Sequence, residues 1–380
     1  MKKRIMIFMG GFFPGQKYGG PPVSVNNICN LLLDEVSFFI VTSDHDLRSS
    51  EKYSVKEGWK DRGNCSVRYI SDNEWKYKFL KQLTDEIKPD IIYLQSFFGS
   101  FIPICYRIAR KNNIPLFLAP RGELCEGSVR IKRYKKIPYL ALIRLFGFAK
   151  NVCFQATSAD EEAGIEKFLK IPKDRIFFLD NVSVPPRMDA SRTKKEKGSA
   201  NMIFISRISP KKNLEAAVTY LTKVKNVNVK FDIYGPLEDN AYWEKCKSIS
   251  QNASENISVS YKRALSHEEV HDVLACYDAF LFPTFSENFG HVIAESLSAG
   301  TPVIISDQTP WNEVNECHAG YAFPLSEEQK YIYAINEIAD MDEDAMNAMR
   351  ENAKKLFERR LNLEEIKKEY MKVFNQLGEN

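Results

Sequence analysis

Along the chain, short apolar runs alternate with stretches whose apolar residues recur at helical spacing. In the first half the runs are "RIMIFMG", "VSFFIVTS", "DIIYLQS", "IPLFLAP", "VCFQATS" and "RIFFLDN"; in the second they are "NMIFIS", "VKFDIYG", "ISVSY", "AFLFP" and "TPVIIS". Strands that alternate with helices predict parallel sheets with crossover helices, an α/β class. Runs this continuously apolar predict strands covered on both faces. Polar residues collect at their ends, where doubly wound sheets place ligands.

The pattern is interrupted once, between "DNVSVPP" and "NMIFIS", by "RMDASRTKKEKGSA", a polar, lysine-rich stretch without aromatic residues. Such chemistry suits a linker. It divides the chain into a first domain over 1–184, a linker over 185–200 and a second domain over 201–360. Past a break near Arg359 and Arg360, apolar residues at helical spacing predict a separate final helix over 361–380.

Composition narrows the picture. The 380 residues exceed what one core usually fills, and 44% hydrophobic with 27% charged residues is globular. Lys and Arg (53) nearly balance Asp and Glu (50), for a net charge of +3, so no overall field points to nucleic acid. The eight cysteines are scattered without metal-ligand spacing, which suits reduced thiols in the cytoplasm. The basic and apolar start, Met1 to Phe13, lacks a small-residue cleavage site and reads as a strand entering a glycine-rich loop rather than as a secretory signal. No apolar stretch of about 20 residues is present to span a bilayer.

The densest motif is "FPTFSENFGHVIAESLSAGTPVIISD", Phe282 to Asp307. It predicts a strand ending at Pro283, a loop with Glu287, and a helix from about Asn288 to Gly300 with Glu295 two turns in. Asn288, Phe289 and Gly290 would then offer backbone N–H groups at a helix N-terminus, which favours anionic or oxygen-rich ligands. A lone loop glutamate is usually solvated, but here two acids, a glycine and a helix start occur together. In "ISRISPKKNLE" a strand ends at Ser206 and a helix starts near Asn213, with Arg207 and Lys212 flanking the turn. In "GGFFPGQKYGGPPVSVNNI", Gly19 and Gly20 would let backbone approach a phosphate or sugar closely.

Taken together, these motifs resemble those of retaining GT-B glycosyltransferases of family four, whose signature holds two glutamates separated by seven residues. The resemblance is strong from Asn201 to Asp307 and weaker before Gly122. It implies two facing Rossmann-like doubly wound domains, with the final helix packing back on the first. The acceptor would bind mainly to the first domain and the nucleotide-sugar donor mainly to the second. By position, Glu287 would touch the donor hexose and Glu295 the ribose hydroxyls, since a carboxylate accepts two bonds from a vicinal diol. Arg207 and Lys212 would clamp the donor diphosphate and neutralise its growing charge without a metal. Gly19 and Gly20 would lie on a loop facing donor and acceptor.

The segment "LAPRGELCEGS" offers Arg121 and Glu123, similar to a "PRG" segment of a capsule and exopolysaccharide branch, as acceptor-side candidates. Many members carry a first-domain histidine beside the sugar, whereas this chain has only His45, within "TSDHD". Asp44, His45 and Asp46 imitate a DxD metal motif but read as a turn.

The function implied is transfer of a hexose-type sugar from a UDP-sugar, or a GDP-sugar, to a glycan acceptor with retention, without cofactor or metal. A nucleotide-sugar 2-epimerase of the same fold and a non-catalytic nucleotide-sugar sensor are the rivals. Between Ser128 and Lys150 lie seven basic residues, no acidic one, and interleaved Tyr134, Tyr139, Leu140, Leu142, Ile143, Leu145, Phe146 and Phe148. That composition suits an interfacial segment, so the acceptor is expected to be polyprenyl-linked, at the inner face of the cytoplasmic membrane.

Overall fold

The computed structural model describes residues 2–378 except 16, 48, 56, 131–132, 146, 148–151 and 184–193. The chain divides into two compact units, Met1–Val184 with Leu363–Asn380, and Pro185–Asn362.

The first unit holds an eight-stranded sheet. Its strands are β1 (Lys3–Phe8), β2 (Val36–Ser43), β3 (Trp59–Asp61), β4 (Ser66–Ile70), β5 (Ile91–Gln95), β6 (Leu116–Ala119), β7 (Val152–Ala156) and β8 (Ile176–Phe178), in the order β3-β4-β2-β1-β5-β6-β7-β8. All neighbours are parallel except β3 with β4. β5 is buried at every residue and β1 at its last four, as continuous apolar runs between helical layers require. β3, the edge strand, and its neighbour β4 went unseen in the pattern because neither is a continuous apolar run. No residue of β3 is buried, and in β4 only Val67 and Ile70 are, with Arg68 between them.

A buried polar network joins the ends of these strands. Tyr93 donates to Gln155 Oε1, and the Gln155 amide donates to the Leu179 carbonyl (3.0 Å) and the Tyr370 hydroxyl (2.9 Å). Tyr370 in turn donates to the Asp180 carbonyl (3.0 Å). The final helix, Leu363–Gly378, thereby packs on this sheet, with Phe374 edge-on to Tyr93 and Phe117. Polar groups this deep stabilise only when paired, and here each chain element supplies the next one's partner.

The second unit holds six parallel strands: β9 (Ser199–Ile205), β10 (Asn228–Tyr234), β11 (Ile257–Tyr261), β12 (Ala279–Phe282), β13 (Val303–Ser306) and β14 (Gly320–Phe323). Their order is β11-β10-β9-β12-β13-β14. The chain winds outward from β9 one way, then returns to β12 and winds the other way. β9 and β12 therefore flank a topological switch point, where open α/β sheets leave a crevice at the strands' carboxyl ends. Two details differ from expectation. Ser199 and Ala200, assigned to the linker, already form β9, while residues 185–193 of that linker lie outside the described residues. The short edge strand β14 went unpredicted because its burial alternates along only four residues.

Candidate active site

The switch point brings two loops together. After β9 come Ser206 and Arg207, then a single 3₁₀ turn, Pro210–Lys212; Asn213, left-handed at φ 57, opens the helix Leu214–Leu221. After β12 come Pro283, Thr284 and Glu287. Asn213 donates its side-chain amide to the Pro283 carbonyl (2.8 Å), and the Phe285 N–H donates to the Lys211 carbonyl (3.1 Å). These bonds hold the basic turn against the acidic loop.

Across that seam Lys212 Nζ donates to Glu287 Oε1 at 2.6 Å, and Thr284 Oγ1 donates to the same oxygen at 3.1 Å. The two charged side chains are only 14% and 13% exposed. Burial pulls the Lys212 pKa below the usual lysine range against the opposing pull of Glu287, and nearby Lys211 and Arg207 press the same way as burial. Arg207 is more open. Its Nη1 donates to both oxygens of Glu238, at 3.1 and 3.0 Å. Glu238 follows β10 and was not among the residues picked from the sequence. It belongs to no motif, and only the strand order shows that the loop after β10 reaches the one after β9.

Beyond Glu287 the helix begins at His291 and runs to Ser298, not from Asn288. Gly290 is its N-cap at φ 78, ψ 59, a left-handed conformation that L side chains resist and that interrupts helical geometry. Asn288 and Phe289 therefore lie in the approach to the helix, and Gly290 alone of the three stands at its terminus. Trp311 Nε1 donates to the Phe289 carbonyl at 2.6 Å and fixes this approach. Glu295 consequently sits one turn into the helix rather than two. It is almost fully buried, with His267 Nδ1 3.6 Å from its Oε1. Burial raises its pKa above the ordinary carboxylate range, and His267 counters.

In the first unit, Gly19 caps the helix Gly20–Leu31 at φ 74 and Gly20 is that helix's first residue. Arg121 and Glu123 are engaged internally. Arg121, at φ 56, donates from Nε to Gln95 Oε1 (2.7 Å) and from Nη1 to Asn181 Oδ1 (2.9 Å). Glu123 accepts from Ser96 Oγ and from the backbone N–H groups of Phe97 and Phe98. These bonds tie the two acceptor-side candidates to the ends of β5 and β6 and to the segment after β8. Asp44 is likewise spent on His45 Nδ1 (2.9 Å) and Lys52 Nζ (2.7 Å), and Asp46 accepts from the N–H groups of Lys17 and Leu47. Among the described residues no group of three or more metal-ligating side chains gathers.

The basic and aromatic segment forms two helices, Glu126–Arg130 and Arg133–Leu145. Leu140 and Ile143 are buried, whereas Tyr134 (73% exposed), Leu142 (52%) and Leu145 (79%) face outward. Lys136 is turned inward, donating to the Ser128 carbonyl (2.8 Å) over the Phe98 ring. Lys132, Phe146, Phe148 and Lys150 lie outside the described residues. Among the described residues no helix is long and apolar enough to cross a membrane.

With this geometry in hand, residues 188–356 match the family Glycosyl transferases group 1. The chain is 24% identical over 218 residues to the UDP-N-acetylglucosamine–peptide N-acetylglucosaminyltransferase GtfA subunit of Streptococcus pneumoniae serotype 4. That match covers 54% of this chain and 42% of the relative, so less than half of the relative's length is spanned. Two solved structures superpose over nearly the whole chain. Sucrose-phosphate synthase from Thermosynechococcus elongatus gives a TM-score of 0.72 at 14% identity, covering 99% of each chain. HepE from Anabaena in complex with UDP-glucose gives 0.71 at 14% identity, covering 98% of this chain and 99% of that one. The second unit thus carries a glycosyl transferases group 1 domain. The two parallel-sheet units share the fold of these solved structures, the GT-B architecture.

Proposed function

We propose that the protein transfers a hexose-type sugar from a UDP-sugar to a hydroxyl of a glycan acceptor, with retention of anomeric configuration. The observation that carries this reading is the buried Lys212–Glu287 pair beside Arg207 at the switch point of the second sheet. A cation and a carboxylate held within hydrogen-bond reach match the two ends of a nucleotide sugar, its diphosphate and its polyol. UDP is favoured over GDP because the Streptococcus relative is described as using UDP-N-acetylglucosamine and the HepE complex holds UDP-glucose.

In the reaction the bond between the anomeric carbon and the β-phosphate oxygen breaks through an oxocarbenium-like state. The acceptor oxygen bonds to that carbon from the face the phosphate leaves, and its proton passes to the departing phosphate. Arg207 and Lys212 offset the charge growing on the diphosphate. Glu287 accepts from sugar hydroxyls, and Glu295 from the ribose diol. The acceptor is a polyprenyl-linked glycan reached through the outward face of Arg133–Leu145, and the product belongs to a surface polysaccharide.

Thermal unfolding in the presence of UDP-, GDP- and ADP-sugars tests the donor. A ligand near 100 times its dissociation constant adds about 2.7 kcal/mol of stability, so the true donor gives a clear upward shift. Stabilisation by GDP-sugars alone would replace UDP, and stabilisation by none would remove the donor site. An altered free sugar formed without any acceptor would identify an epimerase instead.

A further inference from the structure

The side chain that faces Glu295 belongs to a helix the proposed chemistry does not use. His267 is the first residue of the helix His267–Ala275. Its place is fixed by a capping box in which the Ser266 N–H donates to Glu269 Oε2 (2.8 Å), and Glu269 is itself gripped by Arg263. One turn on, His271 Nε2 lies 3.1 Å from Ser298 Oγ, and that hydroxyl donates to the Glu295 carbonyl (2.9 Å). Two histidines of one helix thus meet the turn that carries Glu295, His271 through the Ser298 hydroxyl and His267 3.6 Å from the carboxylate.

A carboxyl group this deep in apolar surroundings tends to take up a proton and become neutral. The protonated acid keeps one donor and cannot accept equally from two hydroxyls, so a vicinal diol would lose half its recognition. The charge of an imidazolium 3.6 Å from the carboxylate opposes that. We propose that His267 is a positioning residue of the nucleotide site, holding Glu295 as an anion aimed at the ribose diol of a nucleoside diphosphate. The proposal rests on the assignment of Glu295 to the ribose given above.

Other titratable groups lie on the elements packed around this turn. His271 is held neutral by burial and by the neighbouring His267, its pKa pulled down to about 4. From the helix Glu343–Arg360, which packs on His291–Ser298, the buried Arg350 is paired with Asp278, Arg360 with Glu313 and Lys354 with Glu351. β13 brings no titratable side chain. His291 shares the helix of Glu295 and stacks on Phe289.

The experiment is calorimetric titration of the full chain with UDP and with 2′-deoxy-UDP, over about pH 5.5 to 8.5, the range in which imidazoles and raised carboxyls titrate. It compares wild type, His267→Gln, His267→Asn, His267→Lys and Glu295→Gln, each checked for cooperative unfolding. Removing the imidazole lets the Glu295 pKa rise. His267→Gln and His267→Asn should therefore lose UDP affinity several-fold on the acid side, as the ionised fraction of Glu295 falls. They should recover towards alkaline pH, and His267→Lys should restore the acid limb. Glu295→Gln should weaken UDP throughout and erase the preference over 2′-deoxy-UDP. A wild-type pH profile in the folded Gln and Asn variants, alongside an impaired Glu295→Gln, overturns the role of His267 and leaves the ribose assignment standing. Wild-type UDP binding by Glu295→Gln overturns the ribose assignment itself.

Discussion

Lys212 Nζ lies 2.6 Å from Glu287 Oε1, so without donor the lysine is already neutralised by the carboxylate proposed to meet the sugar. Arg207 is held the same way by Glu238, but in a more open position. The two pairs should therefore part company on stability while agreeing on activity. Removing one partner of a buried pair costs roughly 3–5 kcal/mol because the other charge is stranded. An exposed pair contributes about 0–1 kcal/mol. Lys212→Ala should lower the melting temperature clearly and Arg207→Ala hardly at all. Both should lose turnover about a hundredfold or more, as when a single charge-stabilising donor is removed. Unfolding curves with initial rates decide it; wild-type turnover in both folded variants would remove the clamp.

The same pair sharpens what separates the two glutamates. With Glu287 gone, Lys212 has no carboxylate to satisfy and turns fully to phosphate. Glu287→Ala should accordingly bind free UDP as well as wild type or better, yet bind UDP-glucose more weakly. Glu295→Ala should weaken both ligands alike. Equal losses for UDP and UDP-glucose in both variants would contradict the division.

Much of this arrangement was legible in the chain because its central strands are buried on both faces and so spell themselves as unbroken apolar runs. Every run quoted from the sequence became a strand, from β1 to β13. The omissions, β3, β4 and β14, are edge or short strands whose half-open sides look like loop. At the site, Arg207, Lys212 and Glu287 were found because they stand just past strand ends in dense local motifs. Glu238 and His267 were not, since each meets its partner through sheet order or helix packing, across 31 and 28 positions of sequence respectively. Arg121 and Glu123 also stand just past a strand end, and their partners were not legible in the sequence. Gln95, Asn181, Ser96 and the N–H groups of Phe97 and Phe98 come to them from other strand ends, which only sheet order shows.

Cations in fixed places make a metal redundant for the leaving group. If Arg207 and Lys212 offset the charge on the leaving diphosphate as proposed, activity should survive excess chelator with its rate unchanged. Loss of activity on chelation, restored by Mn²⁺ or Mg²⁺, would show that the clamp is incomplete and return attention to Asp44 and Asp46.

Buried His271 sets a stability limit on the acid side. Burial, reinforced by His267, brings its pKa to about 4, whereas an unfolded histidine titrates near about 6.5. Between those values the unfolded chain holds a proton that the folded chain refuses. Its contribution to stability should therefore fall as pH drops through that window and level off below it. Melting temperatures measured across it should decline less steeply in His271→Gln than in wild type; parallel curves would mean that His271 does not shape acid unfolding.

The outward face of Arg133–Leu145 is where the acceptor's membrane should be met. Tyr134, Leu142 and Leu145 stand exposed while Leu140 and Ile143 anchor the helix from beneath, so the apolar side chains that face outward are not needed by the core. Of the described basic residues, Lys136 is committed to Ser128 and Phe98 and Arg130 to Glu126, which leaves Arg133, Lys135 and Arg144, of which the first two are the cations to change. Each basic residue near an anionic surface contributes about 1 kcal/mol. Arg133→Ser with Lys135→Ser should thus weaken binding to phosphatidylglycerol-rich vesicles by about thirtyfold at low salt, at about 1.4 kcal/mol per tenfold. High salt should weaken wild type towards the variant, since screening acts on exposed charges. Leu142→Ser with Leu145→Ser should lower binding at both salt concentrations, because apolar insertion is not screened. Co-sedimentation measures all three proteins; wild type remaining in the supernatant at low salt would make a soluble glycan the better acceptor.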